Sequence, residues 1–316
     1  MKKIAIASVW PLPQNLLTQI ANVAPGYSLL DLSASPTDQE LEQCEILFGN
    51  TSQWNRMPNL KWVHAQTAGV DVYINSGNSL PQDVLLTSST GAYGISIGEH
   101  MLGVTLMLLR NLHGYVVQQQ QNIWRGLPPA TNLHGRNVLV IGMGDIGGRY
   151  AFLCNAMGAT VNGVVRSARS TKPSYVNELQ TMESLDKLLP PADIIALALP
   201  GTGDTHGVLS QERLALSKQG ALIVNVGRGT AIDQNALIEY LQNGHIGGAA
   251  LDVTNPEPLP QDSPLWQMDN VIITPHTSHG GRNNTAQFVV DKFIRYLQDY
   301  QNGTPFERVV DRVAGY

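Results

Sequence analysis

The sequence predicts an α/β protein built from two doubly wound parallel-sheet domains, and three observations predict it. An apolar run, Val138-Leu139-Val140-Ile141, leads directly into Gly142-Met143-Gly144-Asp145-Ile146-Gly147, so a buried strand passes through a glycine-rich turn into a helix. Short β-type runs alternate with helical patterns on both sides of that turn, the signature of crossover-connected parallel strands. The chain has 316 residues, more than one hydrophobic core usually serves, which makes two domains the default.

In chain order, Met1-Lys2-Lys3 followed by apolar residues imitates the start of a secretion signal. Trp10-Pro11-Leu12-Pro13 cuts that run short, and residues 3–8 read as the first strand. Further β-type runs at 45–48, 62–64 and 84–87, joined by polar, Pro- and Gly-rich connections, complete a small parallel sheet. A long helix is expected from near Ile97 through Met101, Val104 and Leu108 toward Val116. The second series starts at Val138 and continues at 160–165, 194–198, 222–226, 248–252 and 271–274, giving a six-stranded doubly wound domain. A last helical pattern, with Val289, Phe293, Tyr296 and Leu297 apolar, has no place in that finished domain and is assigned to the N-terminal one. The expected domains are therefore 1–98 with 283–316, and 99–282, the chain crossing between them twice, near 97–101 and 280–285. A cleft between them, at the carboxyl ends of the strands, is the expected ligand site.

The glycine spacing says what the central domain binds. A dinucleotide pyrophosphate needs backbone N–H groups aimed at it from a helix N-terminus, with no side chains in the way. Gly142 permits the tight turn, Gly144 lets the backbone reach the phosphates, and Gly147 lets the helix lie against the strand; Asp145 and Ile146 open that helix. Roughly 20 residues on, an NAD site carries an acid for the adenosine ribose, and an NADP site carries positive charge for the 2′-phosphate. Here Arg166-Ser167-Ala168-Arg169 follows the second strand, with no acid. Arg166 and Arg169 can fork onto a phosphate and Ser167 can donate to it, so NADP(H) is the preferred cofactor, NAD(H) the second choice. Isolated surface arginines on a solvated loop are the plainer alternative.

A net charge of −5 offers no basic footprint for nucleic acid. Cys44 and Cys154 sit far apart in apolar runs and read as buried thiols of a reducing compartment. No apolar run reaches the roughly 20 residues that span a bilayer, so the expectation is a soluble, cytoplasmic protein with no membrane partner. His64, His100, His113, His134, His206, His245 and His279 are not spaced as metal ligands, and no metal is expected. Trp54, Tyr73 and Trp266 either shape a pocket or simply pack.

Three motifs follow strands of the central domain: Asn225-Val226-Gly227-Arg228-Gly229, Asp252-Val253-Thr254-Asn255-Pro256-Glu257-Pro258 and Thr274-Pro275-His276. Singly, Arg228 reads as a surface ion-pair partner, Glu257 as a loop carboxylate and His276 as a cap. Together, opening on one sheet edge, they form a chemically complete set for reducing a 2-oxo acid. Such an enzyme must hold carboxylate and carbonyl, deliver hydride and protonate the developing alkoxide. Arg228 has the planar fork that grips both oxygens. His276 is the natural proton donor, and Glu257 beside it would favour the imidazolium.

These stretches, with Thr67-Ala68-Gly69-Val70-Asp71 and Gly94-Ile95-Ser96-Ile97-Gly98-Glu99-His100, resemble the D-isomer-specific 2-hydroxyacid dehydrogenase family over nearly the whole chain. The resemblance implies a Rossmann nucleotide-binding domain inserted in a discontinuous flavodoxin-like substrate domain. It implies Arg228, Glu257 and His276 as the catalytic trio, backbone N–H groups at Ala68 and Gly69 for the substrate carboxylate, and Asp252 on the nicotinamide carboxamide. Pro200, Val226, Gly227 and His276 fall on the cofactor side, and Arg228 and His276 also touch the small 2-oxo or 2-hydroxy acid substrate. Homodimers through the nucleotide domains, contacting along the long helix after Glu99, are implied too. One departure is Pro200-Gly201-Thr202-Gly203-Asp204-Thr205 in place of the family's Pro-Leu-Thr-Pro-Glu-Thr, which suggests a looser cofactor-side loop. A second is the missing acid at the ribose. Formate dehydrogenase of the same family is disfavoured because the partner of His276 is Glu257, not Gln. The remaining alternatives are a phosphoglycerate dehydrogenase-like NAD enzyme, with Lys61 and Arg56 as phosphate candidates, and a non-enzymatic, corepressor-like dinucleotide sensor. Such sensors carry extra docking segments, and the short tail after the last helix leads us to expect the plain enzyme.

Overall fold

The computed structural model describes residues 1–74, 79–280 and 282–316, and the chain divides into two compact units, Met1–Tyr93 with Gly281–Tyr316, and Gly94–Gly280. Gly281, within the expected second crossing, lies outside the described residues.

The first unit runs β1 (Lys2–Ala7), α1 (Gln14–Val23), β2 (Tyr27–Asp31), α2 (Asp38–Leu41), β3 (Cys44–Gly49), β4 (Trp62–Ala65), α3 (Asp71–Ile74) and β5 (Leu85–Ser88). Its sheet has the order β2-β1-β3-β4-β5, all pairs parallel, the flavodoxin-like doubly wound arrangement. Strand β2 was not expected. It lies at the sheet edge with only Leu30 buried, so it lacks the continuous apolar run that marks the wholly buried β3 and β4.

The second unit runs α4 (Gly94–Leu109), α5 (Leu112–Gln120), β6 (Asn137–Ile141), α6 (Asp145–Ala156), β7 (Thr160–Val165), β8 (Glu178–Thr181), α7 (Leu185–Leu188), β9 (Ile194–Leu197), α8 (Gln211–Leu216), β10 (Ala221–Asn225), α9 (Gln234–Gln242), β11 (Ile246–Leu251) and β12 (Val271–Ile273). The parallel sheet is ordered β12-β11-β10-β9-β6-β7-β8, seven strands where six were expected. The seventh, β8, is again a half-exposed edge strand with no fully buried residue. The expected long helix is two. Asn111 takes a left-handed conformation, φ 54°, which Asn tolerates better than most residues; its amide donates to the Pro128 carbonyl at 2.9 Å, ending α4 and turning the chain into α5.

The last helix, α10 (Arg282–Asn302), lies on the first unit's sheet. Val289, Val290, Phe293 and Leu297 are wholly buried, and the Phe293 ring stacks on Phe48 at 4.4 Å and on Trp62 at 5.4 Å. In the second unit Leu139, Ile141, Ile195, Leu197, Ile223 and Leu251 carry the core on successive strands. Cys44 and Cys154 are both free and buried; burial pushes their thiols up to about 11 and about 12. No helix among the described residues is long and apolar enough to cross a membrane.

Candidate active site

The glycine-rich turn has the shape that a pyrophosphate would need. Gly142 has φ +99°, a left-handed conformation at the end of β6 that favours glycine. A β-carbon at Gly147 would collide with the Gly142 carbonyl oxygen, whereas one at the exposed Gly144 would meet nothing within 4 Å. Two glycines thus serve packing, and the third leaves the start of α6 open to an anion, with no side-chain cap at its N-terminus. Ile146 is half-buried and Asp145 exposed. The Asp145 carboxylate turns back to accept the Gly94 N–H at 2.8 Å, tying α6 to the start of α4.

Beyond β7, Arg166, Ser167 and Arg169 are all exposed. The Arg169 guanidinium donates to the Met143 carbonyl at 3.1 Å, which brings positive charge onto the glycine turn itself. After β9, the loop expected to be loose is closed by its threonines. Thr205 Oγ1 donates to the Pro200 carbonyl at 2.6 Å and accepts the Thr202 N–H at 2.9 Å.

Arg228, Glu257 and His276 follow β10, β11 and β12, three neighbouring parallel strands, so all three loops open at the same carboxyl edge. The buried Asn225 side chain shapes the first loop: its Oδ1 accepts the Gly227 N–H and its Nδ2 donates to the Arg228 carbonyl, both at 3.0 Å. Arg228 itself donates to the Gly227 carbonyl at 2.8 Å. Val226 is buried and donates its N–H to the Leu197 carbonyl at 3.1 Å. Gly229 presses so closely on the Thr254 carbonyl that any β-carbon would clash, which brings the Arg228 loop into contact with the loop leading to Glu257.

Glu257 and His276 meet directly. His276 Nδ1 lies 2.8 Å from Glu257 Oε2; a carboxylate only accepts, so Nδ1 carries the donated hydrogen and Nε2 is left for other partners. The other Glu257 oxygen accepts the Thr254 N–H at 3.2 Å. The pair is accessible, its side chains 46% and 38% exposed. His276 sits at φ +52°, a sparsely populated conformation that surrounding structure must enforce. Asp252 enforces it. Its carbonyl accepts the His276 N–H at 2.8 Å, and its carboxylate accepts from Thr274 Oγ1 at 2.6 Å, Thr277 N–H at 2.9 Å and Ser278 N–H at 3.1 Å. Burial would push this carboxyl up, but the donors from Ser278, Thr274 and Thr277 hold it below the usual carboxylate range. The Asp252 carboxylate, which the resemblance points at the nicotinamide carboxamide, is also hydrogen-bonded to the His276 loop.

Residues 102–278 match the family model described as the NAD binding domain of D-isomer specific 2-hydroxyacid dehydrogenase, more than half of the chain. The chain belongs to this family. It is thus an NAD(P)-dependent dehydrogenase by kinship as well as by its glycine turn. It is 31% identical over 264 residues to glyoxylate/hydroxypyruvate reductase A of Salmonella newport (strain SL254), covering 81% of this chain and 82% of that one. Among solved structures, the dehydrogenase resembles a D-isomer specific 2-hydroxyacid dehydrogenase from Xanthobacter autotrophicus Py2 in complex with NADPH and MES, with a TM-score of 0.86 and 29% identity over 100% of this chain and 99% of that one. It also resembles the NADPH-dependent glyoxylate/hydroxypyruvate reductase from Sinorhizobium meliloti in complex with NADP and sulfate, with a TM-score of 0.85 and 29% identity over the whole of both chains.

In the first unit of the dehydrogenase, Ala68 and Gly69 form a half-buried turn after β4, drawn tight by Thr67 Oγ1, which donates to the Gly69 carbonyl at 2.6 Å. Trp54 and Tyr73 are buried and lie 6.0 Å apart in the core, so they pack. Trp266 stays half-exposed, its indole N–H donated to the Pro260 carbonyl at 2.8 Å. Arg56 is paired with Asp38 at 2.6 Å, and Lys61 precedes β4 at its amino end, 3.7 Å from Glu45. A phosphate site at the carboxyl ends of the strands would not draw on Lys61. His64 is wholly buried between Thr87 and Ser89 hydroxyls, and burial drives its pKa down to about 3. Sequence reasoning missed the Asn225 side chain, the carboxylate task of Asp252 and the donors Thr277 and Ser278. Asn225 and Asp252, polar residues ending apolar strand runs, were the available signal.

Proposed function

We propose that this dehydrogenase reduces a small 2-oxo acid to the D-2-hydroxy acid with NADPH. The observation that carries the reading is the accessible 2.8 Å contact between Glu257 and His276, on the same strand edge as Arg228 and next to a glycine cradle fit for a pyrophosphate. In this reading the first unit is the substrate domain and the second the dinucleotide-binding domain. The cradle is formed by Gly142, Gly144, Asp145, Ile146 and Gly147, with Arg166, Ser167 and Arg169 at the 2′-phosphate and Pro200, Val226 and Gly227 bordering the cofactor. The bound nicotinamide supplies the hydride.

The protein's own residues do the rest. Backbone N–H groups at Ala68 and Gly69 receive the substrate carboxylate, and Arg228 forks onto carboxylate and carbonyl oxygens together. Its fixed positive charge polarises the carbonyl and stabilises the alkoxide as it forms. His276, oriented through Nδ1 by Glu257, delivers its proton from Nε2 to that oxygen and takes it back in the oxidative direction. Glyoxylate and hydroxypyruvate are the leading substrates, supported by the names of the similar enzymes. NADPH over NADH is supported by the arginines after β7 and by the cofactors in the similar structures. The two buried free thiols suit a reducing cytoplasm.

The assembly in this reading is a homodimer through the nucleotide-binding unit. Leu112, Tyr115, Val116, Val117 and Ile123 on and after α5 are exposed, and Trp124 is fully so, an apolar surface that a second copy would bury. Steady-state NADPH and NADH oxidation with glyoxylate, hydroxypyruvate and branched 2-oxo acids tests the activity. Turnover favouring NADPH is expected; none on any acid would leave the dinucleotide sensor as the better reading. Light scattering at micromolar concentration reads the assembly, and a monomer there would remove the dimer.

A further inference from the structure

The loops at the carboxyl edge of the first unit's sheet are tied together by one buried amide. Gln66, the residue after β4, is 1% exposed. Its Oε1 accepts the Val9 N–H at 2.9 Å and its Nε2 donates to Ser8 Oγ at 2.8 Å, while Ser8 Oγ in turn donates to the Trp10 carbonyl. The amide therefore reaches past the end of β3 to the loop after β1. In the order β2-β1-β3-β4-β5 the winding reverses between β1 and β3, and that reversal is where doubly wound sheets take ligands. The Gln66 carbonyl also accepts the Tyr93 hydroxyl, and Ser89 N–H closes on the carbonyls of Ala65 and Thr67 at 3.0 and 3.2 Å. Four short segments, 8–10, 66–69, 89 and 93, thus form one hydrogen-bonded rim. On it, Val9 is exposed and Trp10 half-buried, the apolar groups in the loop that Gln66 holds.

We infer that Gln66 is a positioning residue that fixes the Ser8–Trp10 loop beside the Thr67–Gly69 turn, and that Trp10 in this loop selects the substrate by its side chain. The inference rests on the proposed reading that this turn receives the substrate carboxylate. A 2-oxo acid anchored there must place the rest of its carbon chain along the rim, against whatever the neighbouring loop presents. The loop that carries Trp10 sets a hard limit to that chain, because a loop held by two hydrogen bonds from a buried amide cannot move aside without leaving the amide unsatisfied.

The test is a kinetic panel with NADPH on the full-length protein: glyoxylate, pyruvate, 2-oxoisovalerate and phenylpyruvate against wild type, Trp10→Ala, Trp10→Phe, Ser8→Ala and Gln66→Met. Trp10→Ala is expected to raise kcat/KM for the larger acids relative to glyoxylate at least about tenfold, with Trp10→Phe restoring the wild-type ratio. Ser8→Ala and Gln66→Met are expected to raise KM for glyoxylate more than they lower kcat, with the Kd for NADPH held. A lower melting temperature with an unmoved substrate ratio and no KM shift would reduce Gln66 and Trp10 to structural roles and overturn the inference while leaving the reductase reading intact. Oxamate titration of the NADPH complex separates the remaining case. If wild type neither turns over nor binds oxamate, both fall; if it binds oxamate without turnover, a Kd unmoved by Gln66→Met or Ser8→Ala overturns the inference by itself.

Discussion

At the scale of single residues, chemistry separates from support. In the proposed reading His276 and Arg228 act on different atoms, so their losses should look different. His276→Ala is expected to cut NADPH-dependent reduction by about 10²-fold or more, the usual worth of a positioned acid, with NADPH affinity by fluorescence titration preserved; unchanged turnover would remove His276 as proton donor. Arg228→Ala should lower kcat/KM by a similar factor, about 10²-fold, and abolish saturation by the 2-oxo acid; an unaltered kcat/KM excludes it as the clamp. Arg166→Asp puts a negative charge where the reading puts the 2′-phosphate, and the NADPH to NADH ratio of kcat/KM should drop at least about tenfold. An unmoved ratio would mean that the phosphate is read elsewhere, with Arg169, already seated on the Met143 carbonyl, the next residue to change.

At the scale of elements, the site consists of strand ends and the turns that follow them. The β6–α6 unit works only if the helix can lie on the strand. Gly147→Ala forces a β-carbon into the Gly142 carbonyl, and overpacking of this kind costs about 1–3 kcal/mol. The variant should melt several degrees lower and lose NADPH binding; an unchanged melting temperature and Kd would deny the close packing. The trio of motifs was legible because each follows an apolar strand run. The two unforeseen strands, β2 and β8, are half-exposed edges, where one sheet neighbour is missing and apolar continuity with it. The break at Asn111 was hidden for a related reason: apolar positions keep helical spacing across it, and the left-handed residue adds no periodicity signal.

At the scale of the molecule, each unit has carboxylates held below their usual range despite burial. Glu45 is bonded by Lys2 and Tyr27 in the first unit. In the second, Asp193 is bonded by Lys218 and the Asn137 N–H, and Asp252 by the His276 loop. A carboxyl whose folded pKa is depressed binds its proton more readily when unfolded, so its stabilisation is complete above about pH 4 and is lost as pH falls through the folded value. Urea midpoints should therefore fall steeply from about pH 4 downward, and the double variant Asp193→Asn, Asp252→Asn should start lower near neutrality but show a flatter acid limb. An acid limb as steep as wild type would deny these two groups their share.

The sequence by itself determined the fold class, the glycine-rich turn and the three motifs proposed to carry the chemistry, because local patterns carry them: strand hydrophobicity, glycine spacing and motif position are properties of neighbouring residues. Only the tertiary structure decided how the site is held. The left-handed His276, the buried Asp252 beneath it and Gln66 spanning two loops all depend on donors and acceptors brought together from distant stretches of chain. A buried polar group must find its partners wherever folding puts them, and nothing in its own neighbourhood says where that is.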